Sequence, residues 1–527
     1  MRSFVIAVSF LALACGNGGR PGSTTGNQAA SKPTLRLAIV TDLQGQLEPC
    51  GCQSRPLGGV DRLATAIQRL RVDGTPTLLL LAGDLLFGAE AAHGHPTGSQ
   101  AVQQDTWRAE TVVEIVNRLG PVALVPGAAD AAGGATASDG LISRVSGKSL
   151  ATVPNGPRGV ILSHIQDLGG TEIAIVGIDG TVGDDQGAIS TAVTRLREAG
   201  AAVVIALVSG ERRAANQVAR TAGVDFVVSG GIDSKTPTAP TSVGRAHVLT
   251  AGRQGEGVLN VEIHRTGDGP FVDLSPWSRD RTRQALARSI DELTSRIAAW
   301  ERQPTIDRVA LDEQKARLAA LERERGATAV TDVAGNHFVA SWIEVGTEVP
   351  RDSAIEALIG AYSRRVNEHN RVALADVKAP PAAAGQPHYV GSAQCESCHQ
   401  KAFAWWTDHP HGRAYATLQE VNKEFNLSCV GCHVTGYNRP GGSTVVQNAG
   451  LTNVGCESCH GPGSQHVDDP DAEPYSVQRV VPESVCVTCH NPDHSDKFEY
   501  VAYREKLLVI GHGRSVVTPP VTPPVTP

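Results

Sequence analysis

Methionine is nearly missing from this sequence. The initiator is the single one among 527 residues, so a thioether cannot be a recurring metal ligand in the body of the chain. Long apolar runs are missing as well: Phe4–Ala14 falls far short of the ~20 residues that a membrane-spanning helix needs. No strong charge bias is present either. The 47 basic and 54 acidic side chains leave a net charge of −7, which gives no support to nucleic acid as a partner. What the chain does have is glycine, 56 residues, histidine, 17 residues, and a length that accommodates several domains.

The first residues combine Arg2, the short apolar run and Ala-Leu-Ala-Cys15. They resemble a bacterial lipoprotein signal, with Ala12 standing where leucine is usual. The resemblance implies that residues 1–15 form the signal, that Cys15 is lipidated, and that the chain is exported and held at a membrane outside the cytoplasm. Residues 16–33, rich in Gly, Ser, Thr and Asn, read as a flexible tether.

Eight of the 11 cysteines fall into four identical patterns: Cys395-Glu-Ser-Cys398-His399, Cys429-Val-Gly-Cys432-His433, Cys456-Glu-Ser-Cys459-His460 and Cys486-Val-Thr-Cys489-His490. This is the c-type haem attachment pattern. Two thiols three positions apart add to the two vinyl groups of one porphyrin, and the histidine that follows lies beneath the iron as proximal ligand. Zinc held by paired cysteines would not require a histidine after every pair, and disulfides would not either. Four covalent haems are therefore expected within residues 387–513. That region has little aliphatic surface from which to build a core, so the porphyrins are expected to supply it, wrapped by short helices and loops.

Distal ligands must come from histidines outside the motifs. His411 and His466 are the leading candidates, followed by His409, His494 and His512, with His388 behind them. Tyr389-Val390-Gly391, the Trp-x-x-x-His-x-His stretch ending at His411, and Cys456-Glu-Ser-Cys-His-Gly-Pro-Gly with His466 resemble the tetrahaem cytochrome c-554 family. The resemblance implies closely packed, mostly bis-histidine haems that pass electrons, with one haem able to be five-coordinate.

Residues 34–265 alternate apolar strands and helical segments, the pattern of a layered α/β domain. Strands are expected at Leu35–Val40, Thr77–Ala82, Val122–Val125, Ile173–Val176, Val203–Ala206 and Phe226–Val228, and helices at Asp61–Arg71 and Glu110–Leu119. The strand ends carry Asp42, Gln44, Gly83-Asp84, Gly127-Ala128-Ala129, Ser209 and Gly231-Ile-Asp233. Their order resembles the calcineurin-like metallophosphoesterases of the 5′-nucleotidase type. That family's metal ligands are mostly replaced: Gln44, Ala128, Ala129, Ser209, Gly231 and Asp233 stand where histidines or asparagine are usual. Only Asp42 and Asp84 match, so this departure from the family's pattern points to a vestigial site at Asp42, Gln44, Asp84 and Asp233, with no dinuclear metal centre and no hydrolysis; a single metal at Asp42, Asp84 and Asp233 with altered chemistry is the alternative. Cys50-Gly-Cys52, after the first strand, is left open between a loop bridge, spare thiols and a redox pair.

Residues 278–326 read as a helical hairpin spacer, from Asp280–Trp300 and Asp307–Arg325. A connecting segment follows at 331–378, with a strand near Phe338–Val345 and a helix near Ser353–Asn367. Residues 514–527 form a proline-rich tail. The chain is thus expected to be multidomain: a layered α/β phosphoesterase-like domain, a hairpin, and a mostly helical and looped multihaem cytochrome c domain. An exported electron carrier that meets redox proteins outside the cytoplasm is the leading reading. A haem enzyme acting on a small nitrogen or sulfur compound, and a phosphoesterase with a redox appendage, remain as rivals.

Overall fold

Two sheets packed face to face, with helices on both outer faces, form the N-terminal part of the protein. The computed structural model describes residues 32–49, 55–88, 99–130, 140–150, 163–179, 186–231, 237–302, 308–327, 335–472, 476–491, 494–495 and 497–514. The expectations for Cys15, the tether up to residue 31, Cys50, Cys52, Asp233 and the tail from residue 515 lie outside them.

The first sheet contains β1 (Leu35–Thr41), β2 (Thr77–Gly83), β3 (Ala123–Pro126), β4 (Lys148–Ser149), β11 (Gly257–His264), β12 (Val272–Asp273) and β13 (His337–Glu344). Their order is β12-β13-β11-β1-β2-β3-β4. The second contains β5 (Ser163–Asp167), β6 (Glu172–Asp179), β7 (Val203–Ser209), β8 (Phe226–Gly230), β9 (Thr238–Val243) and β10 (Ala246–Thr250), in the order β5-β6-β7-β8-β10-β9. Strands β1, β2 and β3 pair in parallel, as do β6, β7 and β8. All seven residues of β1 and of β7 are buried, as expected of strands covered on both faces.

Side-chain alternation along each strand sorts the core into layers. Leu35, Leu37 and Ile39 of β1 meet Ile173, Ile205 and Phe226 of the opposite sheet in the central layer. Ala38 and Val40 face the other way, onto the helices Val60–Arg71, Ser99–Leu119 and Ser353–Ala373. Behind the second sheet, Val204 and Val208 pack on the helices Gln186–Glu198 and Arg212–Ala219.

The structure differs from the sequence expectation at the domain edge. β13 pairs along its whole length with β11, from Gly257 opposite Glu344 to His264 opposite His337, so it is an inner strand of the first sheet. The helix Ser353–Ala373 places Ile355, Ile359, Tyr362 and Val366 in the same core. The segment read as a connector is therefore part of the α/β domain. The helices Pro276–Glu301 and Arg308–Ala327 form the expected hairpin, which leaves the sheet after β12 and returns at β13. Sequence order hid this, because β13 lies far along the chain from its partner strand.

The C-terminal region consists of short helices and turns around a small apolar cluster of Tyr415, Val430, Val434 and Val445. Among the described residues, no helix is long and apolar enough to cross a membrane. From Pro33 onward the chain forms a single compact unit, and a buried amide network ties its two regions together. Gln104 Nε2 donates to Asn426 Oδ1 at 3.1 Å and to Ser428 Oγ at 3.3 Å, while Gln104 Oε1 accepts from Leu427 N and from Asn370 Nδ2. Asn370 Nδ2 also donates to Phe425 O, and Lys423 pairs with Glu48 across the same seam. Gln104, Asn370 and Asn426 are all buried, so water cannot replace a lost partner. Gln104→Ala is expected to destabilise the protein by about 2–3 kcal/mol. Thermal unfolding followed by circular dichroism checks this, and Thr106→Ala, on the exposed side of the same helix, should leave the midpoint unchanged.

Candidate functional site

Each Cys-x-x-Cys-His pattern lies in or beside a single helical turn. Cys429 caps the turn Val430–His433, Cys456–His460 is one turn, and Cys486 ends the turn Glu483–Cys486. His399 N donates to Cys395 O at 2.9 Å and His490 N to Cys486 O at 2.9 Å. A residue and those three and four positions on share one helical face, so both sulfurs and the imidazole of a motif face the same space. The eight cysteines are free thiols, with no disulfide among them. The Cys395 and Cys456 thiols are close enough to perturb each other, as are those of Cys432 and Cys489, so motifs one and three are neighbours, as are motifs two and four.

The imidazoles carry the more specific geometry. The rings of His399 and His466 have centroids 6.2 Å apart, those of His411 and His490 are 6.1 Å apart, and those of His460 and His512 are 6.2 Å apart. Two metal–imidazole bonds of about 2.0–2.1 Å, with a ring radius of roughly 1 Å on each side, span about 6 Å. Each motif histidine in these pairs thus faces a second imidazole at the separation that one iron between them requires. Among the described residues no other ring is in contact with His433.

Second contacts fix the ring orientations. His433 Nδ1 donates to Ala414 O at 2.6 Å, His460 Nδ1 to Gln478 O at 2.6 Å and His512 Nδ1 to Leu507 O at 2.8 Å, while His490 Nδ1 bonds Ser495 Oγ at 3.1 Å. A carbonyl can only accept, so in the first three Nδ1 carries the proton and Nε2 keeps its lone pair for a metal. Trp405 stacks on His512 and Phe498 on His490. Burial, with the neighbouring His409 and His490, pushes the His411 imidazole down to about 4, so it is neutral at neutral pH. A neutral imidazole is the ligating form, and these side chains fit c-type haem.

The remaining candidates have other surroundings. His409 ends the helix Gln400–Asp408, lies against Trp405, and accepts from His411 N through Nδ1. His494 is exposed in the turn after the fourth motif. His388 bonds Ser464 through its backbone. The orienting carbonyls of Ala414, Gln478 and Leu507 have no side-chain signature and could not have been found by sequence reading.

At the α/β domain, the carboxyl ends of the parallel strands of both sheets converge. Asp42 follows β1, Asp84 follows β2, and Gly231 follows β8. Asp42 Oδ1 accepts from Gly231 N at 2.7 Å and Asp84 N at 3.1 Å, and Asp84 Oδ1 accepts from Ala129 N at 2.9 Å. The packing is tight: a Cβ at Gly83 would meet Asp42 Oδ1 at 2.0 Å, and one at Gly127 would meet Asp84 Oδ1 at 2.0 Å. Asp130, not singled out as a site residue from the sequence, is buried and accepts from the amides of Leu85, Leu86 and Gly127. Asp42 Oδ2 has no hydrogen-bond partner, and burial raises the Asp42 carboxyl to about 7, against its amide bonds. Gln44 is held at φ +56° with its amide on Asp84 O. Among the described residues no group of three or more His, Cys, Asp or Glu is arranged to hold a metal. With an amide at Gln44, alanines at 128 and 129, and the aspartates turned to backbone amides, these residues do not fit a two-metal centre.

Burial likewise raises the Asp130 carboxyl to about 7, above the ordinary value of about 3.9. Folding therefore takes up a proton between those values. Its stabilising share is complete below about pH 4 and lost as pH rises through about 7. The stability advantage of the native protein over Asp130→Asn should shrink from pH 4 to pH 7.5 in chemical denaturation. An advantage that grows over that range would refute the assignment.

Residues 394–461 match the family described as "Cytochrome c554 and c-prime". Cytochrome c-554 of Nitrosomonas europaea is 38% identical over 91 residues, covering 14% of this chain and 39% of that protein. The chain thus spans about two fifths of the length of that relative. Among solved structures, sulfate thiohydrolase SoxB of Thermus thermophilus is similar at 16% identity and a TM-score of 0.42, covering 64% of this chain and 62% of the other. A 5′-nucleotidase precursor, also from Thermus thermophilus, is similar at 14% identity and 0.43, covering 68% and 61%. The calcineurin-like phosphoesterase YfkN of Bacillus subtilis is similar at 16% identity and 0.42, covering 64% and 99%. Residues 394–461, which contain the first three motifs, thus match the cytochrome c554 family, a family that implies covalently bound haem c.

Proposed function

We propose that this protein is an exported electron carrier with four covalently bound haems, one at each Cys-x-x-Cys-His motif. Its phosphoesterase-like domain then serves as a non-hydrolytic scaffold. The observation that carries the reading is the set of three imidazole pairs at 6.1–6.2 Å. It supports His399 with His466 on the first haem, His460 with His512 on the third and His490 with His411 on the fourth. The haems supply reversible one-electron chemistry when bound. The protein contributes neutral imidazoles, fixed ring orientations, and motifs brought together in neighbouring pairs. A lipid on Cys15 would hold the carrier at a membrane outside the cytoplasm, where its redox partner proteins would meet it.

A second reading is favoured by one observation: His433 has no facing imidazole among the described residues. An open position at the second haem would admit a small nitrogen or sulfur compound, making the protein a redox enzyme. Metal-dependent phosphoesterase action has no comparable support, because the cleft lacks the ligands.

Intact mass and a pyridine haemochrome spectrum should count four haems, and three for the Cys429→Ser, Cys432→Ser double variant. Magnetic spectroscopy should find three low-spin centres. His466→Ala, His411→Ala and His512→Ala should each convert one of them to high spin, whereas His409→Ala and His494→Ala should convert none. A high-spin centre in the native protein that binds added nitrite or sulfite with turnover would move the reading from carrier to enzyme.

A further inference from the structure

The third motif contains a buried carboxylate that its attachment chemistry does not use. Glu457 lies between Cys456 and Cys459 and is 4% exposed. Its Oε1 accepts from Val390 N at 2.9 Å and Gly463 N at 2.7 Å, and its Oε2 from Gly391 N at 2.8 Å. No ion-pair partner faces it among the described residues, so backbone amides alone compensate the charge.

The position of those amides in the chain is informative. Val390 and Gly391 lead straight into the turn Ser392–Cys395, which opens the first motif. Gly463 immediately precedes the helix Ser464–Asp468, which carries His466. His399 and His466 are the facing pair at 6.2 Å, with ring planes 23° apart. One carboxylate therefore holds the two segments that carry the opposite axial ligands of a single iron. Two further bonds close the same clasp: His388 N donates to Ser464 Oγ, and Cys456 N to Ser392 Oγ. Gly391 is held at φ +87°, where a Cβ would meet Gly450 O at 2.6 Å, so this approach of backbone to carboxylate needs glycine.

We infer that Glu457, although it sits inside the third haem motif, is a positioning residue for the axial pair of the first haem. This rests on the reading that haems occupy the motifs. Glu396 holds the same place in the first motif, within an identical Cys-Glu-Ser-Cys, but is exposed and serves as the internal control.

The test compares Glu457→Gln, Glu457→Asp, Glu396→Gln, His466→Ala and the double variant Glu457→Gln, His466→Ala as haem-loaded full chains. Glutamine turns an amide group toward backbone donors, and aspartate keeps the charge but shortens the reach. Either change should leave the haem count intact while converting a low-spin centre to high spin. The gain is one further carbon-monoxide-binding haem per chain and a shift in one midpoint potential. The double variant should show no more high-spin haem than His466→Ala alone, because both act on one iron, and Glu396→Gln should match the native protein. Where Glu457→Gln does not accumulate, Glu457→Asp carries the comparison. Native-like spectra and midpoints in both Glu457 variants would overturn the inference, as would high-spin signals that add in the double variant. A native protein without covalent haem would instead sink the proposed function, and mass measurement shows that before any variant is compared.

Discussion

Three pairs of imidazole rings stand 6.1–6.2 Å apart in the C-terminal region, the spacing that two imidazoles on one metal would need. Its short helices could not define a fold by burial alone: the apolar cluster of Tyr415, Val430, Val434 and Val445 is small for the length of chain it serves. Local hydrogen bonding adds order to these turns. Carbonyls from other turns fix the rings of His433, His460 and His512, and Glu457 ties three backbone amides from two segments. Polar bonds of this kind are directional, so they set angles and separations that apolar packing tolerates within wide limits.

In the α/β region, strand termini that converge in the manner of a ligand cleft are held together by backbone amides. Asp42, Asp84 and Asp130 accept amide hydrogens from the loops after β2, β3 and β8, which draws those loops together. The cost is desolvation of clustered carboxyls, visible in the raised values of Asp42 and Asp130. Carboxyls that can carry a proton near neutrality need no metal to compensate them. The cleft thus holds its loops in place by hydrogen bonds.

Much of this was legible in the residues. Buried strands such as Val203–Ser209 announce themselves as apolar runs ended by a turn residue, and the attachment motifs are covalent chemistry written in five positions. What sequence could not give was pairing over distance. β13 joins the first sheet across the whole hairpin, and helix Ser353–Ala373 packs on the domain it was expected merely to leave. The same limit separated His411 from His490, which are far apart in the chain yet have ring centroids 6.1 Å apart. Glu396 and Glu457 sit in identical tetrapeptides, and only the fold distinguishes the exposed one from the buried one.

The seam between the two regions explains why the scaffold matters to the haem side. Asn426 and Ser428, which bond Gln104, directly precede Cys429, so the second motif is the one anchored to the α/β domain. It is also the motif whose histidine lacks a facing imidazole among the described residues. In the first, third and fourth motifs a second imidazole faces the motif histidine, and an iron between them would hold the two chain segments together. At the second, the amide network of Gln104, Asn370 and Asn426 restrains the approach of the chain. A buried network of this kind is stiff, because moving one partner strands another without water to replace it. The α/β domain thereby holds the segment that leads into the second motif.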